Sequence, residues 1–318
     1  MKKAFQVFLV LLIACNLYAQ KSGDTIRLAD PTIFYNDGNY YLYGTGGKDG
    51  FLVYHSNDLV NWSGPAGVND GYALVKGETF GTKGFWAPQI IKYNQKFYMA
   101  YTANEHIAIA ESNSLVGPFR QQRHDSLPAA VKQIDPFIFT DDDGKKYLYH
   151  VRLENGNRIF VGQMKNDFSG IEESTLKECI SGQGLWENTD NSKWPVTEGP
   201  TVLKHNGLYY MLYSANDFRN VNYAVGYATA TNPFGPWTKY KGNPIISKQN
   251  IQHNGTGHGD LLQDKNGNWY YVLHTHASAN TVSPRLTGIV PLSFVKEERG
   301  GPDKIIIDSA RFHYLQIK

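Results

Sequence analysis

Residues 34–45 read FYNDGNYYLYGT: a short aromatic run, the turn Asn36-Asp37-Gly38, then a run dominated by tyrosine. Asp-Gly between two strand-like runs signals a hairpin, because glycine accepts the positive φ a tight turn needs. The same shape returns as IKYNQKFYMAYT (91–102), FTDDDGKKYLYHV (139–151), LKHNGLYYMLYSA (203–215) and LQDKNGNWYYVLHT (262–275). Asp143-Gly144, Asn206-Gly207 and Asn266-Gly267 repeat the turn signal, and the second copy uses Asn94-Gln95. The aligned tyrosines, Tyr41, Tyr98, Tyr147, Tyr210 and Tyr271, recur every 49–63 residues.

A repeat of fixed shape at this period decides an architecture before any single residue does. Residues 51–54, 107–110, 159–162 and 223–227 read as third strands. The turn-rich stretches 56–62, 112–119 and 228–237 follow three of them, two containing Gly-Pro-aromatic (Gly117-Pro118-Phe119 and Gly235-Pro236-Trp237). About four short strands per unit is the blade of a β-propeller. The expectation is an all-β, five-bladed β-propeller forming a single domain over residues 20–318. Residues 302–318 read as strand that closes the last blade.

Residues 1–19 are set apart. Lys2 and Lys3 precede an apolar run over residues 4–14, the pattern of an export signal. That run falls short of the ~20 apolar residues that span a bilayer. Leu17-Tyr18-Ala19 reads as a cleavage site, and Leu12-Ile13-Ala14-Cys15 also matches a lipobox that would place a lipid anchor on Cys15. Either way the protein is expected to be exported, to the periplasm or the exterior, soluble or lipid-anchored. After such a cut at Ala19 only Cys179 remains, which excludes an intrachain disulfide.

The formal charge of +2 comes without a basic or acidic block. Nothing points to nucleic acid, a membrane surface or an acidic polymer. A neutral substrate is expected. The 14% aromatic content suits strands, and it also suits flat, apolar sugar faces.

The residues before each hairpin carry the chemistry. They read Asp30-Pro31-Thr32, Trp86-Ala87-Pro88-Gln89, Asp135-Pro136-Phe137, Glu198-Gly199-Pro200 and Gly257-His258-Gly259, at 11–13 residues before the aligned tyrosine. The first strand of a blade lines the central channel. Asp30, Trp86, Asp135, Glu198 and His258 are therefore expected to converge on one pit. A single Asp-Pro does no more than begin a turn or strand. Three acids at matched positions are costly without a purpose, because like charges raise one another's pKa. Breaking a glycosidic bond needs one acid to protonate the leaving oxygen and another to activate water or attack carbon.

The stretches ADPTIFYNDGNYYLYGT, FWAPQI, QIDPFIFTDDDG, TEGPTV and GTGHGDLL, in this order, resemble glycoside hydrolase family 43 over essentially all of residues 20–318. That resemblance implies an inverting hydrolase on a five-bladed propeller. It implies Asp30 as general base, Glu198 as general acid, and Asp135 as the third acid, which orients Glu198 and raises its pKa. It places His258 near the axis beside a calcium or water cluster. A bound calcium would support the site rather than do chemistry. It sends Arg285 of the last blade toward the acids and the sugar, and sets Trp86 beside the pit. Phe137 is placed with the substrate-binding residues. Gln89 departs from the family's usual WAPD and is expected to alter the pocket wall. The nucleophile motif of the related retaining fructan enzymes does not occur.

The irregular stretch 181–197, with Trp186 and Trp194, is expected to wall the pit into a small exo-type pocket. Removal of terminal α-L-arabinofuranosyl units is the expected activity. β-Xylosidase and β-galactan or galactofuranose activity are the alternatives, since arabinofuranose and xylopyranose present similar hydroxyls. A non-catalytic sugar-binding propeller would show loss of an acid, and a WD-type scaffold would carry shorter, more uniform repeats.

Overall fold

The computed structural model describes residues 23–298 and 300–318. The export segment and Cys15 lie outside the described residues. Among those described, helix is limited to Lys248–Ile251 and two 3-10 turns, Glu173–Thr175 and Ser309–Arg311. The fold is all-β.

Five antiparallel sheets follow one another along the chain. The first holds Ala29–Asn36, Asn39–Thr45 and Tyr54–Ser56. The second holds Trp86–Tyr93, Lys96–Ala103 and His106–Ser112. The third holds Gln133–Thr140, Lys146–Leu153, Asn157–Gln163 and Lys177–Ile180. The fourth holds Thr197–His205, Leu208–Ala215, Ala224–Ala230 and Thr238–Lys239. The fifth holds Gly257–Gln263, Trp269–Thr275, Leu286–Val295 and Lys304–Ile307. Each expected hairpin joins the first two strands of a sheet. In the second copy Asn94 and Gln95 take φ 47° and 67° without any glycine.

The expected four strands per unit are met in the third and fourth sheets, exceeded in the fifth, where His313–Tyr314 also pairs with Leu286–Val295, and not reached in the first two. After Ser112 the chain makes only an isolated bridge, Glu111 to Arg120. Pro118 cannot donate to a ladder, and a Cβ on Gly117 would sit 2.2 Å from the Ala73 carbonyl. A close backbone approach replaces the strand.

Apolar clusters fill the space between consecutive sheets. Tyr43 with Met99 and Tyr101 joins the first to the second. Ile107 with Ile138 and Leu148 joins the second to the third. Tyr149 and Val151 with Met211 and Tyr213 join the third to the fourth, and Leu212 with Tyr271 and Leu273 joins the fourth to the fifth. A fifth cluster, Ile33 and Leu42 with Val272 and Ile289, returns the fifth sheet to the first. The C-terminal residues reach further than expected. Lys304–Ile307 edges the fifth sheet, while Gln316–Ile317 pairs with Asp24–Thr25 and Asn61–Trp62 beside the first. Asp24–Thr25 and the C-terminal residues thus tie the last sheet to the first.

Candidate active site

The first strand of each of the five sheets carries the same irregularity. Its pairing skips between Ala29 and Thr32, Trp86 and Gln89, Ile134 and Phe137, Glu198 and Thr201, and Gly257 and Gly259. The bulged residue in each is left-handed: Asp30 (φ 47°), Ala87 (46°), Asp135 (54°), Gly199 (58°) and His258 (35°). A bulge leaves one residue unpaired and re-aims a side chain. Proline follows in four of the five (Pro31, Pro88, Pro136, Pro200), which removes a donor the broken ladder could not have satisfied.

This register corrects the expected equivalence. Asp30, Asp135 and His258 occupy bulge positions, whereas Trp86 and Glu198 precede the bulge by one residue. Hairpins that differ by a residue in length hide this offset when positions are counted from the tyrosines. One cavity nevertheless gathers Asp30, Trp86, Asp135, Glu198, His258 and Arg285, together with Ile134, Asn157, Asp217 and Phe218. Trp86 stands 37% exposed at its wall.

The three acids are buried, but each meets different partners. Arg285 Nη1 donates to Asp30 Oδ1 at 3.0 Å, and the Thr45 hydroxyl donates to Asp30 Oδ2 at 2.6 Å. Arg285 also lies over the Phe218 ring, 4.6 Å from its centre. Asp135 Oδ2 receives the Gly199 N–H at 3.2 Å. Glu198 Oε1 receives the Tyr223 hydroxyl at 2.9 Å, and Oε2 receives Asn157 Nδ2 at 3.0 Å. His258 Nδ1 sits between two acids, 3.5 Å from Asp30 and 3.7 Å from Asp135. Gly199 must be glycine here, since a Cβ would lie 2.8 Å from the His258 ring.

These partners divide the protons. Burial pushes the Asp30 carboxyl up, but the Arg285 guanidinium, His258, His274 and the Thr45 hydroxyl together hold it well below the usual carboxylate range. Burial holds both histidines below their ordinary value, so near neutral pH the guanidinium and the hydroxyl are what keep Asp30 ionised. Asp135 is pushed well above its ordinary value by burial and by the charges of Glu198 and Asp30. Glu198 is raised to about 7, again by burial first, with Tyr223 and Asn157 opposing and Asp30 adding. The site therefore places an ionised carboxylate across from a carboxyl pair that holds a proton.

Four of the expected residues, Gln89, Phe137, Trp186 and Trp194, do not line this cavity. Gln89 spends both amide atoms on the third sheet, donating to the Ile138 carbonyl at 3.2 Å and accepting its N–H at 2.7 Å. Phe137 and Gln89 line a narrow channel walled by the bulged residues Asp30, Ala87, Asp135, Gly199 and His258, and Phe137 packs against the apolar cluster between the third and fourth sheets. Trp186 turns inward onto Tyr213 and over Gly226, whose missing Cβ leaves room for the ring. Its neighbour Trp194 is the exposed one, at 47%. Sequence reading missed Tyr223, Asn157, Thr45 and Asp217. Thr45 carried a signal: four residues after the aligned tyrosines stand Thr45, Thr102, Val151 and Ser214.

The side chains around His258 do not fit the expected calcium. That ion takes six to eight oxygens. Asp30 is already committed to Arg285, and both oxygens of Asp260 accept threonine hydroxyls, from Thr32 at 2.7 Å and Thr201 at 2.6 Å. Among the described residues no group of three or more His, Cys, Asp or Glu is placed to hold a metal ion.

The profile described as "Glycosyl hydrolases family 43" matches residues 25–298. The chain belongs to glycoside hydrolase family 43. It is similar to a solved structure from Bacteroides thetaiotaomicron VPI-5482 described as an endo-1,4-beta-xylanase: 39% identity, TM-score 0.84, covering 92% of this chain and 98% of that one. A thermostable family-43 glycoside hydrolase matches at 34% identity and TM-score 0.79, covering 91% and 95%. Among relatives, a xylan 1,3-beta-xylosidase of a Vibrio species is 26% identical over 76% of this chain and 46% of its own length. An extracellular endo-alpha-(1->5)-L-arabinanase of Bacillus subtilis (strain 168) is 25% identical over 81% of this chain and 83% of its own. The chain spans about half the length of several curated relatives it matches. Among the described residues no helix is long and apolar enough to cross a membrane.

Proposed function

We propose that this chain is an exported, inverting exo-glycosidase that removes terminal α-L-arabinofuranosyl units from neutral plant-type oligo- or polysaccharides. We read its five sheets as one five-bladed β-propeller domain. The cyclic order of the five interfaces supports that architecture.

One observation carries the chemistry. Asp30, tied to Arg285 and Thr45, lines the same cavity as Asp135 and Glu198, whose carboxyls have, among the described residues, no cationic partner within hydrogen-bond reach. Asp30 takes a proton from the water that attacks the anomeric carbon. Glu198 gives its proton to the departing glycosidic oxygen. Asp135, oriented by the Gly199 N–H, shares the buried site with Glu198, and their mutual repulsion keeps the two from ionising together, so that a proton stays on the pair. Arg285 holds Asp30 in place and in its basic form. Trp86 offers an aromatic wall to the sugar. No step passes through a metal.

The names of the relatives favour a second reading, β-xylosidase: several relatives at 26% identity are named xylosidase, alone or with arabinosidase. The two are separated by following 4-nitrophenol release from the aryl α-L-arabinofuranoside and the aryl β-xyloside side by side, with Asp30→Asn as control. Cleavage by the wild type and loss in the control supports the class and the base, and the rate ratio names the sugar. A fully active Asp30→Asn protein contradicts the assignment. On substrates with poor leaving groups, kcat/KM is expected to fall as pH rises through about 7, where Glu198 gives up its proton.

A further inference from the structure

The loop over residues 181–197 sends its two tryptophans opposite ways. Trp186 is packed between strands, while Trp194 leaves about half its surface open. Trp194 is held from one edge. Its indole N–H donates to Asn157 Oδ1 at 2.9 Å, and the same amide's nitrogen donates to Glu198 Oε2 at 3.0 Å. A single side chain therefore separates the indole from the carboxyl that protonates the leaving oxygen. Beside it lies a second cavity, of about 460 Å³, lined by Asn188, Asp190, Ser192, Trp194, Asp217 and Arg219 among others. Asp217 also lines the acid pocket, so the two cavities adjoin.

We propose that this second cavity is a leaving-group subsite, in which Trp194 stacks on a neutral sugar. The inference rests on the glycosidase reading above and extends it. The oxygen that Glu198 protonates belongs to the departing sugar, so that sugar must lie on the Glu198 side of the pocket. The Asn157 bridge puts Trp194 there. An aromatic ring with one polar edge anchored and a broad face open meets the apolar face of a pyranose or furanose well. The charges on the wall are largely spent on each other. Arg219 Nε and Nη2 each lie 2.7 Å from an oxygen of Asp217. Amides and hydroxyls fill much of the rim, which suits hydroxyls rather than a charged ligand.

Binding to the Glu198→Gln protein, which needs no turnover, tests this. The probes are α-1,5-L-arabinotriose against L-arabinose, and β-1,4-xylotriose against D-xylose. Adding Trp194→Ala is expected to weaken the bound trisaccharide about tenfold and to leave the monosaccharide within about twofold. Trp194→Tyr, which keeps a flat face, is expected to recover part of the loss. If both ligands weaken equally, Trp194 merely braces Asn157 and the subsite is overturned. If neither weakens while aryl glycosides are still cleaved, the subsite falls and the glycosidase reading stands. If no sugar binds and no aryl glycoside is cleaved, both fall together.

Discussion

At four of the five junctions between neighbouring sheets, the N–H of the bulged residue is received by a side chain on the second strand of the preceding sheet. Asp30 donates to His274 Nδ1 at 3.1 Å, and Ala87 to Thr45 Oγ1 at 3.0 Å. Asp135 donates to Thr102 Oγ1 at 3.0 Å, and His258 to Ser214 Oγ at 2.7 Å. The junction between the third and fourth sheets differs. The matching residue is Val151, paired with Ile134 as Thr102 is with Trp86. Valine has no acceptor. The Gly199 N–H there goes to Asp135 Oδ2 instead. A buried N–H must find a partner, so one apolar residue in a polar series turns a structural donor toward a carboxylate of the site.

The largest disturbance of this comparison is Gly199→Ala. The Cβ would meet the His258 ring and force an alanine to φ 58°. A loss of kcat/KM of about a hundredfold or more is expected from misplacing Asp135, with a lowered Tm of the full chain. Thr102→Val would make a second junction resemble the odd one, but without a carboxylate to take over. It leaves the Asp135 N–H buried and unpaired, and a denaturant titration should show about 1–3 kcal/mol lost. Thr102→Ser should lose little.

Glu198→Gln is expected to stabilise the protein by about 1 kcal/mol or more above pH 7. The folded pKa of Glu198 is raised, so the native state binds more protons than the unfolded chain between about 4.5 and 7, and stability falls as pH rises through that window. Removing the titration removes that loss. Chemical denaturation at pH 5 and pH 8 reads it. Asp30 has the opposite sign: its depressed pKa contributes stability above the unfolded carboxylate pKa that is lost as pH falls.

The subtlest change is Val151→Thr, which restores the missing acceptor. The new hydroxyl competes for the Gly199 N–H, Asp135 loses its donor, and the shared proton moves from Glu198 toward Asp135. Near neutral pH a severalfold loss on poor leaving groups is expected, with the alkaline limb of kcat/KM moved to lower pH. Val151→Ile, which adds no acceptor, should leave the limb where it is.

Much of this was legible in the sequence, for identifiable reasons. The hairpins were readable because Asp-Gly and Asn-Gly demand a particular turn, and the family because five short motifs keep their order. The one-residue offset of Glu198 and Trp86 is hidden when positions are counted from the tyrosines, although the proline that follows four of the five bulged residues marks it. Trp186 and Trp194 could not be told apart, since a loop without periodicity does not say which ring meets the gap above Gly226. Asn157 reaches Glu198 from the start of a third strand and Tyr223 from just before one, where asparagine and tyrosine look like ordinary edge residues. The two-residue strands at Asp24–Thr25 and Gln316–Ile317 are too short to carry a pattern.

The division of labour between Asp30 and Glu198 is tested most directly by the configuration of the first-formed sugar. Proton NMR during turnover of whichever aryl glycoside the enzyme accepts would report it before mutarotation. An ionised base acting on water across from a proton donor predicts the inverted anomer. A first product of retained configuration would mean that a carboxylate attacks carbon directly, and would contradict the account.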